Sequence, residues 1–203
     1  MIRGAVYDRL ILGLTSRWYA EVVERLPEGS LFLDVGIGTA GALMANAERV
    51  KGKALRVVGI DIDADYVERA RRRVSGSSLE DRVEVRLESV YAHRGGPYDF
   101  VYFSGSFMLL PDPEEALRHC CKLLRPGGRL FFTQTIQERP APWLEIVKPL
   151  LRRLTSIDFG RVTYREELEN QLRCAGLEVE EFAVLSRHRG RSACLIAARP
   201  RDG

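Results

Sequence analysis

Apolar residues recur along this chain with two alternating periods. Residues 31–35 (LFLDV), 55–61 (LRVVGID) and 98–104 (YDFVYFS) are short, almost continuous apolar runs, which predicts strands buried on both faces. Residues 82–88 (RVEVRLE) alternate in polarity, as a strand does. Between these runs, 40–50 (AGALMANAERV), 64–74 (ADYVERARRRV) and 113–124 (PEEALRHCCKLL) carry the helical period, the second with an arginine-rich outer face. PGG at 126–128 predicts a sharp turn into a strand over 129–135. Strands alternating with helices imply right-handed crossovers and a mostly parallel sheet covered on both faces.

The last forty residues break this rhythm. Residues 163–177 begin with Thr163 and carry Glu166 three positions later, a capping-box pattern for a helix that Gly176 ends. Two strands follow, EVEEFAVLS and SACLIAARP, separated only by RHRGR. So short a connection holds no crossover helix, so the pair is expected to form an antiparallel hairpin at the sheet edge. At the other end, AVYDRLILGLTSRWYAEVVERL has the spacing of one helix, or two short ones, laid over the sheet opening. The chain is therefore read as one domain over 1–203. It has a helical cover (1–29), a core (30–135), a variable segment (136–162) and a closing helix and hairpin (163–203).

Composition narrows the function classes. With 203 residues, 45% hydrophobic content, 29% charged residues and a net charge of +3, the chain suits a globular domain and lacks the basic excess of a dedicated nucleic-acid binder. No apolar run reaches the ~20 residues of a membrane span. The N-terminal apolar patch is broken by Arg9 and Arg17, which makes a poor signal peptide, so a cytoplasmic location is expected. Cys120, Cys121, Cys174 and Cys194 have no metal-ribbon or CxxC spacing and read as reduced thiols; no metal is expected.

The candidate chemistry lies after the first strand. GIGTAG places Gly36, Gly38 and Gly41 in a GxGxxG pattern, and Asp61 ends the next strand about 25 residues on. That spacing admits a nicotinamide dinucleotide, but Asp34, inside the strand end, would repel a pyrophosphate, and the terminal hairpin fits poorly with a second mononucleotide-binding half. A ligand with an amino group, a sulfonium and no phosphate turns Asp34 into an asset. S-adenosylmethionine is such a ligand. Gly36 and Gly38 would let the backbone approach it, Asp34 would attract its amino end, Asp61 would accept its ribose hydroxyls, and Ile62 would lie on the adenine.

With these residues in place, the chain resembles the class I S-adenosylmethionine-dependent methyltransferases, most closely the small single-domain type similar to quinone and phospholipid methyltransferases. The resemblance is carried from Leu31 to the C-terminus by LDVGIGTA, VVGIDID, VRLESVY, YDFVYFSGSFMLLPDPEEALRHCCKLLRPGGRL and TYREELENQLRCAGLEVEE in that order. It implies an α/β, Rossmann-like fold: a seven-stranded, mostly parallel sheet with helices on both faces and an antiparallel C-terminal hairpin. It also implies cofactor contacts from Asp34, Gly36, Gly38, Thr39, Asp61 and Ile62. Glu88 stands where the family usually has an Asp that recognises the adenine amino group, with Ser89 as the alternative. Ser104 stands where the backbone passes the methionine part. Tyr7 is implied as a contact from the aromatic N-terminal cover.

Ser106 and Phe107 follow at the mouth of the site, and Trp18, Tyr19 and Trp143 are the further substrate-side candidates. The segment 136–162 is expected to cross that mouth. Its cations Lys148, Arg152, Arg153 and Arg161 either solvate a helix face, hold an anionic substrate or touch an acidic membrane surface. No motif places His93, His119 or His188 at the methyl group, so surface positions are expected for all three and the catalytic residue is left unknown. The expected activity is methyl transfer to a small-molecule acceptor by in-line displacement, through proximity and orientation. The competing readings are a protein or nucleic-acid methyltransferase on the same fold and a non-catalytic binding module. Modest charge, the absence of a further domain, and SGSF in place of an Asn/Asp-Pro-Pro-aromatic motif weigh against the first.

Overall fold

The structure is a computed structural model that describes residues 2–138, 164–188 and 190–201, with the backbone alone for 2–11. One seven-stranded sheet has the order β3-β2-β1-β4-β5-β7-β6. β1 (Leu31–Val35), β2 (Arg56–Asp61), β3 (Val83–Leu87), β4 (Tyr98–Ser104) and β5 (Leu124–Gln137) pair in parallel. β6 (Leu177–His188) and β7 (Arg191–Pro200) form the antiparallel hairpin, with β7 against β5 and β6 at the edge. The chain winds outward from β1 to β3, then restarts at β4 on the other side of β1. That reversal opens a crevice beyond the carboxyl ends of β1 and β4, where open α/β sheets bind ligands.

Helices cover both faces. On one, α1 (Ile2–Arg25) packs Tyr19, Val22 and Val23, with Leu26 just past its end, into a core shared with Leu43, Val50 and the Val67, Ala70 and Val74 stripe of α4 (Ala64–Val74). On the other, α5 (Pro113–Leu123) and α6 (Arg165–Cys174) contribute Ala116, Leu117, Cys120, Leu168 and Leu172. The cover over the sheet opening is thus one continuous helix. α4 occupies its expected span because Asp63 caps it, accepting from Asp65 N at 2.9 Å and Tyr66 N at 3.1 Å. Asp112 caps α5 through Glu115 N, with Pro113 in the first turn.

Three local expectations are corrected. The helix expected over 40–50 is two, α2 (Gly41–Met44) and α3 (Ala47–Gly52), divided at Asn46. Buried Asn46 donates from Nδ2 to Ser16 O and Ala42 O, both at 2.9 Å, pinning α1 at the break. The strand expected over 129–135 starts at Leu124, opposite Tyr98, and PGG at 126–128 lies inside it as a register shift, with pairing to β4 resuming at Arg129 opposite Phe100. α6 starts one residue later than the capping box requires: Tyr164 is its N-cap and makes no side-chain cap bond. Glu166 and Glu167 still lie in its first turn, where the helix dipole favours acids, while Thr163 is outside the described residues.

Candidate cofactor site

The turn after β1 is built by backbone constraint. Gly36 has φ +77°, and a Cβ there would stand 2.5 Å from Ser106 Cβ, so only glycine fits. Its N–H donates to Ile60 O at 2.8 Å. Asp61 joins three strand ends. Its Oδ2 accepts from Gly38 N at 2.9 Å, its Oδ1 from Asp63 N at 3.0 Å, and its carbonyl from Glu88 N at 2.9 Å. Thr39, in the same turn, is held by Arg73 Nη1 through Oγ1 at 2.5 Å and its carbonyl at 2.9 Å. Ile62, beside Asp61, is 77% exposed, an unusual position for an isoleucine, and Leu87, in register with Asp61 on β3, is 53% exposed.

Asp34 is the electrostatic anomaly. It is 1% exposed; Tyr19 donates to Oδ2 at 2.9 Å, and Oδ1 has no partner among the described residues. Burial raises its pKa to about 7 against the opposing hydrogen bond from Tyr19, with the charge of Asp61 adding to the rise. Burial likewise pushes the Tyr19 phenol well above its ordinary range. Ser104, at the end of β4, has its hydroxyl buried beside the Tyr102 phenol. A cavity of about 320 Å³ joins Asp34, Gly36, Gly38, Tyr19 and Ser104 beneath α1. A larger cavity, about 1080 Å³, lies between α6 and the hairpin and contains none of these residues.

The remaining candidates fall in several places. Tyr19 lines the cavity and gives its hydroxyl hydrogen to Asp34. Trp18 is 5% exposed with Nε1 unpartnered, and its ring packs over Gly105. Ser106 donates to Val35 O. Phe107 belongs to the core, edge-on to Phe103 at 5.5 Å and Phe132 at 5.1 Å. Ser89 serves a turn: its carbonyl accepts from Ala92 N and His93 N, both at 3.0 Å. The Tyr7 side chain, Trp143 and the four cations of 136–162 lie outside the described residues.

His93 corrects the surface expectation. It is 0% exposed, with Nδ1 2.8 Å from Glu88 Oε2 and Nε2 2.7 Å from Tyr98 OH. His119 Nε2 is 2.7 Å from His93 O. Nothing in the sequence periodicity marks His93; the only signal is its spacing, five residues from Glu88 and five from Tyr98. Among the described residues, no group of three or more His, Cys, Asp or Glu forms a metal site, and no helix is long and apolar enough to cross a membrane.

Comparison with known proteins identifies the family. Residues 32–128 match a family model described as a methyltransferase domain. The ubiquinone biosynthesis O-methyltransferase of Thiobacillus denitrificans is 33% identical over 182 residues, covering 85% of this chain and 74% of that one. This chain belongs to the class I S-adenosylmethionine-dependent methyltransferases. The methyltransferase is also 29% identical to the ubiquinone biosynthesis O-methyltransferase of Xanthomonas axonopodis pv. citri, over 85% of this chain and 73% of that one. Among solved structures it is similar to the geranyl diphosphate C-methyltransferase of Streptomyces coelicolor, with TM-score 0.72, 14% identity, and 92% and 78% of the two chains covered. It is also similar to the cyclase SpnF, with TM-score 0.74, 20% identity, and 93% and 82% covered. At these identities the structural likeness shows the fold alone, and a cyclase among the neighbours illustrates why activity is argued from the site.

Proposed function

We propose that the methyltransferase transfers a methyl group to an oxygen of a small-molecule acceptor, and that the crevice at the ends of β1 and β4 holds the methyl donor. One observation carries the placement: Asp34 Oδ1 is buried with no partner among the described residues, in the same cavity as the glycine turn. Such an atom is costly unless a ligand completes it. The amino group of S-adenosylmethionine carries the complementary charge for Asp34. When bound, this cofactor supplies a methyl group on a positive sulfur that is already a good leaving group.

In this reading the chain orients and shields. Gly36 and Gly38 admit the donor against the backbone, and Asp34, fixed by Tyr19, anchors the amino end. Asp61 already accepts two N–H groups and has lone-pair capacity left for the ribose hydroxyls. Ile62 offers an apolar face for the adenine, and Glu88 a carboxylate for its amino group. α1 lines the cavity with Leu12, Thr15 and Tyr19 and would shield a bound donor from water. Of the groups lining the cavity among the described residues, Asp34 is the one acid, and its role here is anchoring, so rate is assigned to alignment of acceptor and methyl group.

The curated relatives named above support oxygen as the acceptor atom and a small molecule as its carrier. The test has two steps. Calorimetry should detect S-adenosylhomocysteine binding and no NAD binding. Transfer of labelled methyl from S-adenosylmethionine should then be measured across catechols, other phenols, amines and thiols. Label appearing on amines or thiols in preference to hydroxyls would refute the acceptor assignment, and NAD binding in place of S-adenosylhomocysteine would refute the placement.

A further inference from the structure

The connection from β3 to β4 folds back on itself and returns a histidine to the residue where it began. Glu88 leaves β3, the turn at Ser89 brings in His93, and Tyr98 opens β4. Three side chains then stand in a line, with Tyr98 OH 2.7 Å from His93 Nε2 and His93 Nδ1 2.8 Å from Glu88 Oε2. The order of donors follows from chemistry. An ionised carboxylate only accepts, so Nδ1 carries the hydrogen, and in the neutral ring Nε2 then accepts from Tyr98 OH. Burial pushes the Tyr98 pKa up to about 12, so its hydroxyl keeps the proton it donates.

The unit is sealed as well as aligned. The rings of His93 and Tyr98 stack with centroids 5.8 Å apart. The Gly95 backbone presses on the bond between them: a Cβ there would collide with Tyr98 Oη and stand 2.6 Å from His93 Nε2. Glu88, 26% exposed, is the only member that reaches the surface. Its Oε2 is occupied by His93, which leaves Oε1 for an incoming donor.

We infer that His93, braced by Tyr98, is a positioning residue that holds Glu88 with one oxygen presented to the 6-amino group of the adenine, and so sets the preference for adenine over a 6-oxo purine. The inference rests on the proposed placement of the adenine beside Glu88. A glutamate has one more rotatable bond than an aspartate and loses more freedom on engaging a ligand; the tether removes that freedom in advance. A 6-oxo purine presents an acceptor to a carboxylate that cannot donate, so a fixed Oε1 rejects it.

The experiment compares dissociation constants for S-adenosylhomocysteine and S-inosylhomocysteine in the wild type, Tyr98→Phe, His93→Gln, Glu88→Gln and the Tyr98→Phe/Glu88→Gln pair. Tyr98→Phe should weaken S-adenosylhomocysteine about 3- to 10-fold, the scale of one lost hydrogen bond, and leave S-inosylhomocysteine unchanged. Glu88→Gln should abolish the preference, and adding Tyr98→Phe to it should do nothing more. Full preference in a folded Tyr98→Phe protein, beside a lost preference in Glu88→Gln, overturns the positioning role and leaves the adenine placement standing. Full preference in Glu88→Gln overturns the placement and the inference with it. A wild-type measurement covers variants that fail to fold: the imidazole nitrogen resonances of the buried histidine should report a hydrogen on Nδ1 and shift with S-adenosylhomocysteine. A ring protonated only at Nε2, or resonances indifferent to the ligand, overturns the inference.

Discussion

Replacing Asp34 by asparagine should stabilise the ligand-free protein near neutral pH while removing its affinity for S-adenosylhomocysteine. The carboxyl pKa rises from 3.8 to about 7 on folding, a difference of about three pH units at about 1.4 kcal/mol each, or about 4 kcal/mol in all. The sign follows from proton counts. Between about pH 4 and pH 7 the folded chain holds a proton that the unfolded chain has lost, so stability falls as pH rises through this window and is level above it. The introduced amide keeps an acceptor for Tyr19 but leaves a buried donor without a partner, which costs about 1–3 kcal/mol. The variant should therefore be no more stable than wild type at pH 4.5 and more stable by about 1–3 kcal/mol at pH 8. Thermal unfolding read at both pH values cancels the titrations common to the two proteins. The difference in Tm should change by several degrees, since about 1 kcal/mol moves Tm by about 2–4 °C at this size. S-adenosylhomocysteine at about 100 times its Kd should add about 2.7 kcal/mol to wild type and nothing to the variant. A stability difference that is flat from pH 4.5 to 8 would refute the reasoning, because it would mean that Asp34 ionises as freely in the fold as in the unfolded chain.

The same titration predicts that S-adenosylhomocysteine binds more weakly as pH falls below about 7 and that binding near pH 7 releases protons, read by calorimetry in buffers of differing ionisation enthalpy; no buffer dependence would contradict it. Asp61→Asn should lower both stability and affinity, each by about 1–3 kcal/mol, because the amide turns a donor toward Gly38 N or Asp63 N; an unchanged Tm would show that those backbone bonds carry little. Gly36→Ala should destabilise by about 1–3 kcal/mol from backbone strain alone, with the collision at Ser106 added; chemical denaturation showing a loss under about 0.5 kcal/mol, the scale of ordinary surface substitutions, would refute the close approach.

The fold was legible because its signals are periodic and local. Double-sided burial of β1 and β4 shows as almost continuous apolar runs, and the RHRGR connection alone forces the hairpin. The break at Asn46 was not legible, since it depends on a carbonyl of α1 thirty residues away. Asp34 and Asp61 were visible from their places around the glycine turn. The binding of Asp61 to the backbone was not: its side chain, expected to accept ribose hydroxyls, fastens the turn through Gly38 N and Asp63 N. His93 shows the limit most plainly: a lone histidine shortly before GGP carries no pattern, and only the folded β3–β4 connection sets it between Glu88 and Tyr98. Phe107 shows the converse, as an aromatic residue near a motif was drawn toward the substrate when core packing claims it.

The position of β7 has a consequence for how the molecule assembles. β7 follows β5 and β6 in sequence yet lies between them, bonded to β5 from Leu130 to Gln137 on one side and to β6 on the other. Until it arrives, β5 is an open edge whose central residues are largely apolar, and β6 has no neighbour in the sheet. The five parallel strands can form first, but they do so with an adhesive flank of unpaired N–H and C=O groups. Closure then requires a hairpin formed locally to dock across a long sequence separation, a slow class of step. Aggregation during refolding should accordingly track the delay before β7 docks, and a short peptide with the β7 sequence, SACLIAARP, would compete for the same flank.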